Sequence, residues 1–478
     1  MTTPSHLPAT HLAPLFTDHM VLQSGRSNPI WGWDRPEQRV TLHIEGAPTP
    51  VPEVVVTARS DGTFRIACPA LPVGGPYRLR MRGSRECVLE DVLVGEVWLA
   101  SGQSNMEWKV AVSADGSLEI AEAVWPQIRM FTVDQQAARE PRAVVGGKWR
   151  PCSPETAGDF SAVGYYFARG VHQNLSVPIG IIDASWGGTR VEAWTSIDAL
   201  RETMDVDAAV EHRIVLVSRN VFATCPSMPD ALSPQNAPAA LFHGMIAPLV
   251  PFGLRGVIWY QGESNVDDHV HYRDRLLSLV RDWRSRWGAE DAALHRLERG
   301  CLPRELPFYV VQLANFVASP AWAYLREAQA QALSEPATGI AVTIDIGDPD
   351  DIHPRNKQEV GRRLALLALA RTYGRVDLEW SGPWLDRVEI DRGEARVWFR
   401  HAAGLRARGG GPVRGFALAG ADRLYHRAEG RIDGDSVVLK SGDVPVPVAM
   451  RYAWADNPDA NLENAASLPA APFRTDRW

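Results

Sequence analysis

Apolar and polar residues change their spacing twice along the chain, dividing it into three parts. From residue 1 to about 92, apolar residues form short β-branched or aromatic runs that partly alternate with polar ones: VLQ, PIWGW, RVTLHIEG, VVVTA, FRIAC and YRLRMRG. Period-two alternation sends successive side chains to opposite faces of a strand. Asp61-Gly62 and Gly74-Gly75-Pro76 punctuate the runs as turns. The pattern predicts a sandwich or jelly-roll-like β domain over 1–92.

From about 93 to 376, apolar runs alternate with longer helical stretches. The runs are EVWLA (96–100), IGIIDA (179–184), GVIWYQ (256–261), FYVVQL (308–313) and IAVTIDI (340–346). The helical stretches are FSAVGYYFARGVHQNL, YRDRLLSLVRDWRSRW, AWAYLREAQAQALS and KQEVGRRLALLALARTYG; in the last, Val360, Leu364, Leu367 and Ala368 recur at helical spacing. Apolar strands with helical crossovers predict an α/β domain whose parallel sheet is covered on both faces, with ligand chemistry at the carboxyl ends of its strands. Weak periodicity over about 200–240 predicts an insertion near the site. From 377 to 478 the strand pattern returns in ARVWFR, GFALAG, RLYHRAEGRI, SVVLKS and VAMRYAWA, which predicts a second β domain.

Composition narrows the class. A chain of 478 residues exceeds one ordinary domain, and 45% hydrophobic with 22% charged residues is globular rather than disordered. No apolar run is long enough to span a membrane. With 50 basic against 57 acidic residues, net −7, no electrostatic pull toward nucleic acid or anionic membrane is expected. Lysine occurs only at 109, 148, 357 and 440, and the many arginines form no basic stripe. The five cysteines are scattered without a CxxC, so free thiols are expected. The opening MTTPSHLPATHLAPLF lacks a basic n-region and an apolar h-region. A cytoplasmic location is expected for the chain as written, and a periplasmic or secreted one if a leader has been removed.

Polar clusters fall at four predicted strand ends. The first is Ser101-Gly102-Gln103-Ser104-Asn105-Met106-Glu107-Trp108, where a glycine two before Ser104 fits a tight turn that exposes a hydroxyl; an ordinary helix cap reads the same way. The second, Ser185-Trp186-Gly187-Gly188-Thr189-Arg190, has paired glycines whose N–H groups can face an anion. The third, Gln261-Gly262-Glu263-Ser264-Asn265, offers a neutral amide donor. The fourth, Asp348-Pro349-Asp350-Asp351-Ile352-His353, sets a carboxylate three residues before an imidazole. His269 and His271 form an H-x-H without partners at zinc spacing, so no metal is expected. Together the clusters supply a nucleophile, oxyanion donors and a base with its orienting acid, the requirements of acyl transfer through a covalent intermediate.

The blocks GEVWLASGQSNMEW, IIDASWGGTRVEAW, GVIWYQGESN and DPDDIHPRNKQEVGRRLAL resemble those of the sialate O-acetylesterase family, within the SGNH or GDSL-like hydrolases. So do LAPLFTDHMVLQ, GKWRPCSPETAGDFSAVGYYFAR and YAWADNPDANL, so the resemblance covers most of the chain. It implies a flavodoxin-like α/β/α catalytic domain flanked by β domains, and hydrolysis of O-acetyl esters on sugars without a cofactor. It implies Ser104 as nucleophile and His353 with Asp350 as the acid–base pair; the family pattern places the acid three residues before the histidine, favouring Asp350 over Asp351. Its oxyanion hole matches the Ser104 N–H, a glycine N–H of the Gly187-Gly188 pair, taken as Gly188, and the Asn265 side chain. Gln103, Gln261 and Glu263 are expected to shape the site or bind sugar. One of Trp108, Trp186, Trp194 and Trp259 would stack on a sugar ring, with Trp186 preferred and Trp259 read as core. Arg190 would meet a substrate carboxylate, against a competing reading as a structural salt bridge. The expected partner is an O-acetylated carbohydrate, with the protein a monomer or homodimer. Competing readings are an acetylesterase of plant polysaccharides such as xylan or xyloglucan, a lipid or thioester hydrolase, and a non-catalytic carbohydrate-binding protein.

Overall fold

The computed structural model describes residues 9–209, 233–295 and 305–478. Most of the stretch read as an insertion, and Cys225 and Cys301, lie outside the described residues. The chain divides into two compact units: Met1–Trp259 with Leu277–Phe308, and Tyr260–Leu276 with Tyr309–Trp478.

Unit 1 is organised by a single long strand. Strands β1 (Arg39–Glu45) and β2 (Gly74–Arg82) lead to β3, which runs unbroken over Glu86–Gly102. The start of β3 pairs antiparallel with β2, from Arg82 opposite Glu86 to Tyr77 opposite Val92, and β2 pairs with β1. Its end pairs parallel with β6 (Ile179–Ser185), from Glu96 opposite Ile179 to Gly102 opposite Ser185. Between them in sequence come helix α1 (Ser104–Glu107), β4 (Trp125–Thr132), β5 (Trp149–Cys152) and α2 (Ala162–Leu175). β4 lies parallel to β6 on its other edge, and β5 closes that side antiparallel. β7 (Gly256–Tyr260) flanks β3 opposite β6. The sheet is therefore mixed, parallel at β4, β6 and β3 and antiparallel where hairpins join it.

The last eleven residues of β3 are all buried, and every residue of β6 is buried. Such continuous burial is what a strand covered on both faces requires. β4 escapes a period-two reading because Pro126, Gln127 and Arg129 interrupt it. Arg129, 5% exposed, is held there by Asp91, 2.8 Å away. Helix α2 is capped by Ser161, whose Oγ accepts from the Gly164 N–H at 3.1 Å. It lays Phe167 edge-on to Trp98 of β3 at 5.0 Å between ring centres. Strand Asn28–Trp33 pairs antiparallel with Thr63–Cys68 in a separate small sheet.

Unit 2 contains the start of helix α3 (His269–His295), β8 (Phe308–Val311) from Tyr309 onward, helix α4 (Ala321–Ala330), β9 (Thr338–Ala341) and helix α5 (Lys357–Arg371). β9 ends five residues before the apolar run IAVTIDI does. Past Ala341, the chain leaves the sheet so that Asp345 can meet Arg363 of α5, whose Nη2 lies 2.8 Å from Oδ2. Arg326 of α4 is fully buried, and its guanidinium donates to the carbonyls of Leu313, Ala314, Ala455 and Asp456. One cation thus joins a strand end, a helix and a C-terminal segment. The C-terminal stretch forms two four-stranded sheets, one of Trp384–Asp391, Glu394–Arg400, Ser436–Lys440 and Glu429–Asp433, the other of Tyr425–Arg427, Phe416–Ala419, Ala449–Tyr452 and Phe473–Arg474. Cys68, Cys87 and Cys152 are free thiols.

Trp259 of β7 is fully buried and packs nearly perpendicular to Trp194 and Trp283, at 6.2 and 5.8 Å. Its indole N–H has no hydrogen-bond partner among the described residues. Trp259→Ala should cost ~3–5 kcal/mol of stability by chemical denaturation, from the cavity it leaves. Trp259→Phe should cost clearly less, because it also removes a buried donor. Equal losses would refute this.

Candidate active site

Unit 1 carries Gln103, Ser104, Trp186, Gly187, Gly188 and Arg190. β3 ends at Gly102, whose φ of +139° is open to glycine and strained for other residues. The chain turns at once into α1, with the Met106 and Glu107 N–H groups donating to the Gln103 carbonyl at 2.8 and 3.0 Å. Gln103 and Asn105 are buried, while Ser104 between them is half-buried. The abrupt strand-to-helix turn therefore leaves the serine side chain accessible between two packed neighbours.

Beside it, the Trp186 N–H donates to the Gly102 carbonyl at 3.1 Å, which fixes the turn after β6. A Cβ on Gly187 would lie 3.3 Å from the Ser104 Cβ and 3.3 Å from Glu107 Oε2, so a side chain there would crowd the serine. The Gly187 N–H donates to Glu107 Oε2 at 2.7 Å, and Glu107 Oε1 accepts from Gln135 at 3.0 Å. Of the two glycines, Gly187 is thus committed to a carboxylate. Gly188 has φ +68° and is held by Asn236, which donates to its carbonyl at 2.8 Å and accepts from the Arg190 N–H at 2.7 Å. Glu107 and Asn236 are anchors that sequence reasoning missed. Glu107 lies inside a recognised block, whereas nothing local marks Asn236.

Arg190 Nε lies 3.9 Å from Glu192 Oε2, with both side chains largely buried, an ion pair within the chain. Trp194 and Trp259 are fully buried and belong to the core. Trp194 Nε1 donates to Thr189 Oγ1 at 2.9 Å, which in turn donates to the Trp186 carbonyl at 2.7 Å. Trp108 and Trp186 are half-buried. Asp183 near the end of β6 is buried, accepts from Ser185 Oγ at 2.6 Å and lies 3.9 Å from Lys109 Nζ. Burial pushes its carboxyl above the usual range, opposed by Lys109 and Ser185.

Unit 2 carries Gln261, Glu263, Asn265, Asp350 and His353. Gly262, at φ +152°, is required after β7: a Cβ would stand 2.8 Å from Leu325 Cδ2 and 3.0 Å from Gln329 Nε2. The turn over Glu263–Asp268 follows, closed by the Asn265 N–H donating to the Gly262 carbonyl at 2.9 Å. Asn265 and Gln261 are fully buried. The Tyr272 hydroxyl donates to Gln261 Oε1 at 2.9 Å, and Gln261 Nε2 donates to Asn265 Oδ1 at 2.8 Å. This relay fixes the amide orientation, turning the Asn265 NH2 away from Gln261. Tyr272 is a third residue that sequence reasoning missed; only the fold brings it to Gln261.

In the fourth cluster, Asp350 is exposed, and its N–H donates to Asp348 Oδ1 at 2.9 Å. The carboxylate beside the imidazole is Asp351, with Oδ1 at 3.7 Å from His353 Nδ1 and 2.8 Å from the His353 N–H. Partial burial first, then the charge of Lys357, hold the His353 pKa below its ordinary value, and Asp351 opposes them. His269 and His271 serve their own turn, through the Val266 carbonyl at 3.0 Å and Asp268 at 2.5 Å. Among the described residues, no group of three or more potential ligands could hold a metal ion. No helix among them is long and apolar enough to cross a membrane.

Two strand-end turns present a half-buried serine and a fully buried, oriented amide, and a third segment presents an imidazole with a nearby carboxylate, the side-chain types of an esterase. The class is borne out by comparison: residues 94–214 and 240–370 match the model of the carbohydrate esterase, sialic acid-specific acetylesterase family. The chain belongs to that family. It is similar to the sialate O-acetylesterases of Pongo abelii, 30% identical over 410 residues (79% of this chain, 74% of the relative), and Mus musculus, 31% identical over 420 residues (79% and 76%). The crystal structure of a carbohydrate acetylesterase from Xanthomonas citri is 40% identical and superposes with TM-score 0.86, covering 98% of this chain and all of that one.

Tyr272→Phe removes one donor from Gln261 Oε1 and so loosens the Asn265 amide. A stability loss of ~1–3 kcal/mol by urea denaturation is expected. An unchanged midpoint would mean that the relay contributes nothing.

Proposed function

We propose that the chain is a serine carbohydrate O-acetylesterase of the SGNH type. Its catalytic α/β/α domain spans about 93–376, between β domains at 1–92 and 377–478. The family match carries this reading, and the likeness to a carbohydrate acetylesterase along nearly its whole length supports it. The sialate O-acetylesterase relatives make an O-acetylated sialic acid the first substrate to try.

Neutral His353 accepts the Ser104 proton as Oγ attacks the acetyl carbonyl carbon. The carbonyl electron pair moves to oxygen, and the resulting oxyanion is met by the Ser104 N–H, the Gly188 N–H and the Asn265 amide. Gly188 is preferred because the Gly187 N–H is given to Glu107. Collapse breaks the bond to the sugar oxygen, which takes the proton from His353. Water, deprotonated by His353, then releases acetate and restores Ser104. Asp351 is taken as the carboxylate that steadies the imidazolium, in place of Asp350, on its 3.7 Å approach to Nδ1. Gln103 and Glu263 shape the site, and Trp186 offers a half-buried indole for a sugar face.

Ser104→Ala should lose at least ~10⁴-fold in acetate release while keeping the wild-type melting temperature. The panel is 4-nitrophenyl acetate, an O-acetylated sialic acid, and acetylated xylan and xyloglucan oligosaccharides. Persistent turnover would remove Ser104 as nucleophile, and the preferred natural substrate would identify the sugar. In the same assay, Asp351→Asn should cost ~10²-fold or more in kcat and Asp350→Asn less than ~3-fold. The reverse order would restore Asp350 as the orienting acid.

A further inference from the structure

Lys357 is fully buried, in the first turn of α5, four residues after His353. That is an unfavourable place for a cation. Burial strips its hydration, and a helix N-terminus carries partial positive charge. The acidic residue of the same turn, Glu359, is engaged elsewhere, with Arg362 at 2.8 Å and Arg363 at 3.4 Å. Groups from outside the helix act on Lys357. Its Nζ lies 5.4 Å from the centre of the buried Tyr260 ring, a cation–π arrangement at the end of β7. Glu263, in the turn that carries Asn265, and Asp351, beside His353, favour its charge.

We propose that Lys357 is a positioning residue for the esterase reaction, tying the turn that carries Asn265 to the segment that carries His353 through Glu263, Asp351 and the Tyr260 ring. This rests on the assignment of His353 as base and Asn265 as oxyanion donor. Two electrostatic consequences follow from a buried cation at this position. The ammonium opposes protonation of the imidazole, in the same direction as the burial of His353, while Asp351 acts against both. Only the neutral imidazole can accept the serine proton, so Lys357 extends activity toward acid pH. Burial also pulls Lys357 itself down to about 7, with Glu263 and Asp351 resisting, so this cation depends on its two carboxylates.

The test is the acid limb of kcat/KM for 4-nitrophenyl acetate in the full chain, with wild type, Lys357→Met and Lys357→Gln side by side. The wild-type limb should have its midpoint below pH 6.5. Removing the charge should raise the midpoint by ~0.5–1 pH unit and lower kcat with little change in KM. The His353 imidazole titration, followed by NMR in a Ser104→Ala background, should move by the same amount. A merely structural lysine would change stability and leave both titrations where they were. Lys357→Gln keeps a polar side chain at this buried position and serves if the methionine variant does not fold. A folded variant with an unmoved acid limb and an unmoved imidazole titration overturns the proposal, and so does a wild-type limb at or above pH 6.5. Ser104→Ala separates the two levels: turnover in that variant refutes the nucleophile, whereas an inactive Ser104→Ala beside unmoved titrations refutes only the role of Lys357.

Discussion

Every backbone N–H and C=O of a buried strand needs a hydrogen-bond partner, with successive residues facing opposite edges, and in this protein one seventeen-residue strand, Glu86–Gly102, meets that demand with two kinds of neighbour. Its first half is satisfied by an antiparallel neighbour and its second by a parallel one. The N-terminal β segment and the α/β sheet are therefore parts of one hydrogen-bonded framework. Because its last eleven residues are buried, their side chains have no freedom to shift register. Ser104 takes its position from that rigidity, two residues past the strand's end.

The second recurring device is the buried charge held by distant groups. Arg326 is satisfied by four carbonyls from two chain segments, and Asp345 by Arg363 and, at 3.2 Å, by Arg408. Lys357 depends on Glu263 and Asp351 in the same way. Breaking one member of such a set leaves a buried charge uncompensated, which is costly even where the pair itself adds little stability. These sets join elements that are far apart in sequence, and near the candidate site they hold turns rather than helices.

Much of the architecture was legible in residue patterns. The four helical stretches correspond to Ala162–Leu175, His269–His295, Ala321–Ala330 and Lys357–Arg371, because helical periodicity and caps are local properties. Strand Trp125–Thr132 was not legible, because its Arg129 is buried by a partner in another segment, Asp91. The run IAVTIDI reads as a longer strand than Thr338–Ala341, because apolar content cannot show where backbone pairing stops. The purely parallel sheet expected of alternating strands and helices is a mixed one, since the pattern does not reveal that one strand serves two neighbourhoods.

By itself the sequence determined the family, the three-part pattern of strands and helices, and the four clusters from which the candidate residues come. These depend on residue type and short spacing, which a linear reading captures. Only the tertiary structure decided which member of each cluster faces which partner. It turned the Gly187 N–H to Glu107, eighty residues away in the chain. It set Asp351 rather than Asp350 beside His353, and it fixed the Asn265 amide through Tyr272. The physical reason is direction: at a turn, the side chain's aim is set by backbone dihedrals and distant packing, and neither is written in the spacing of residues along the chain.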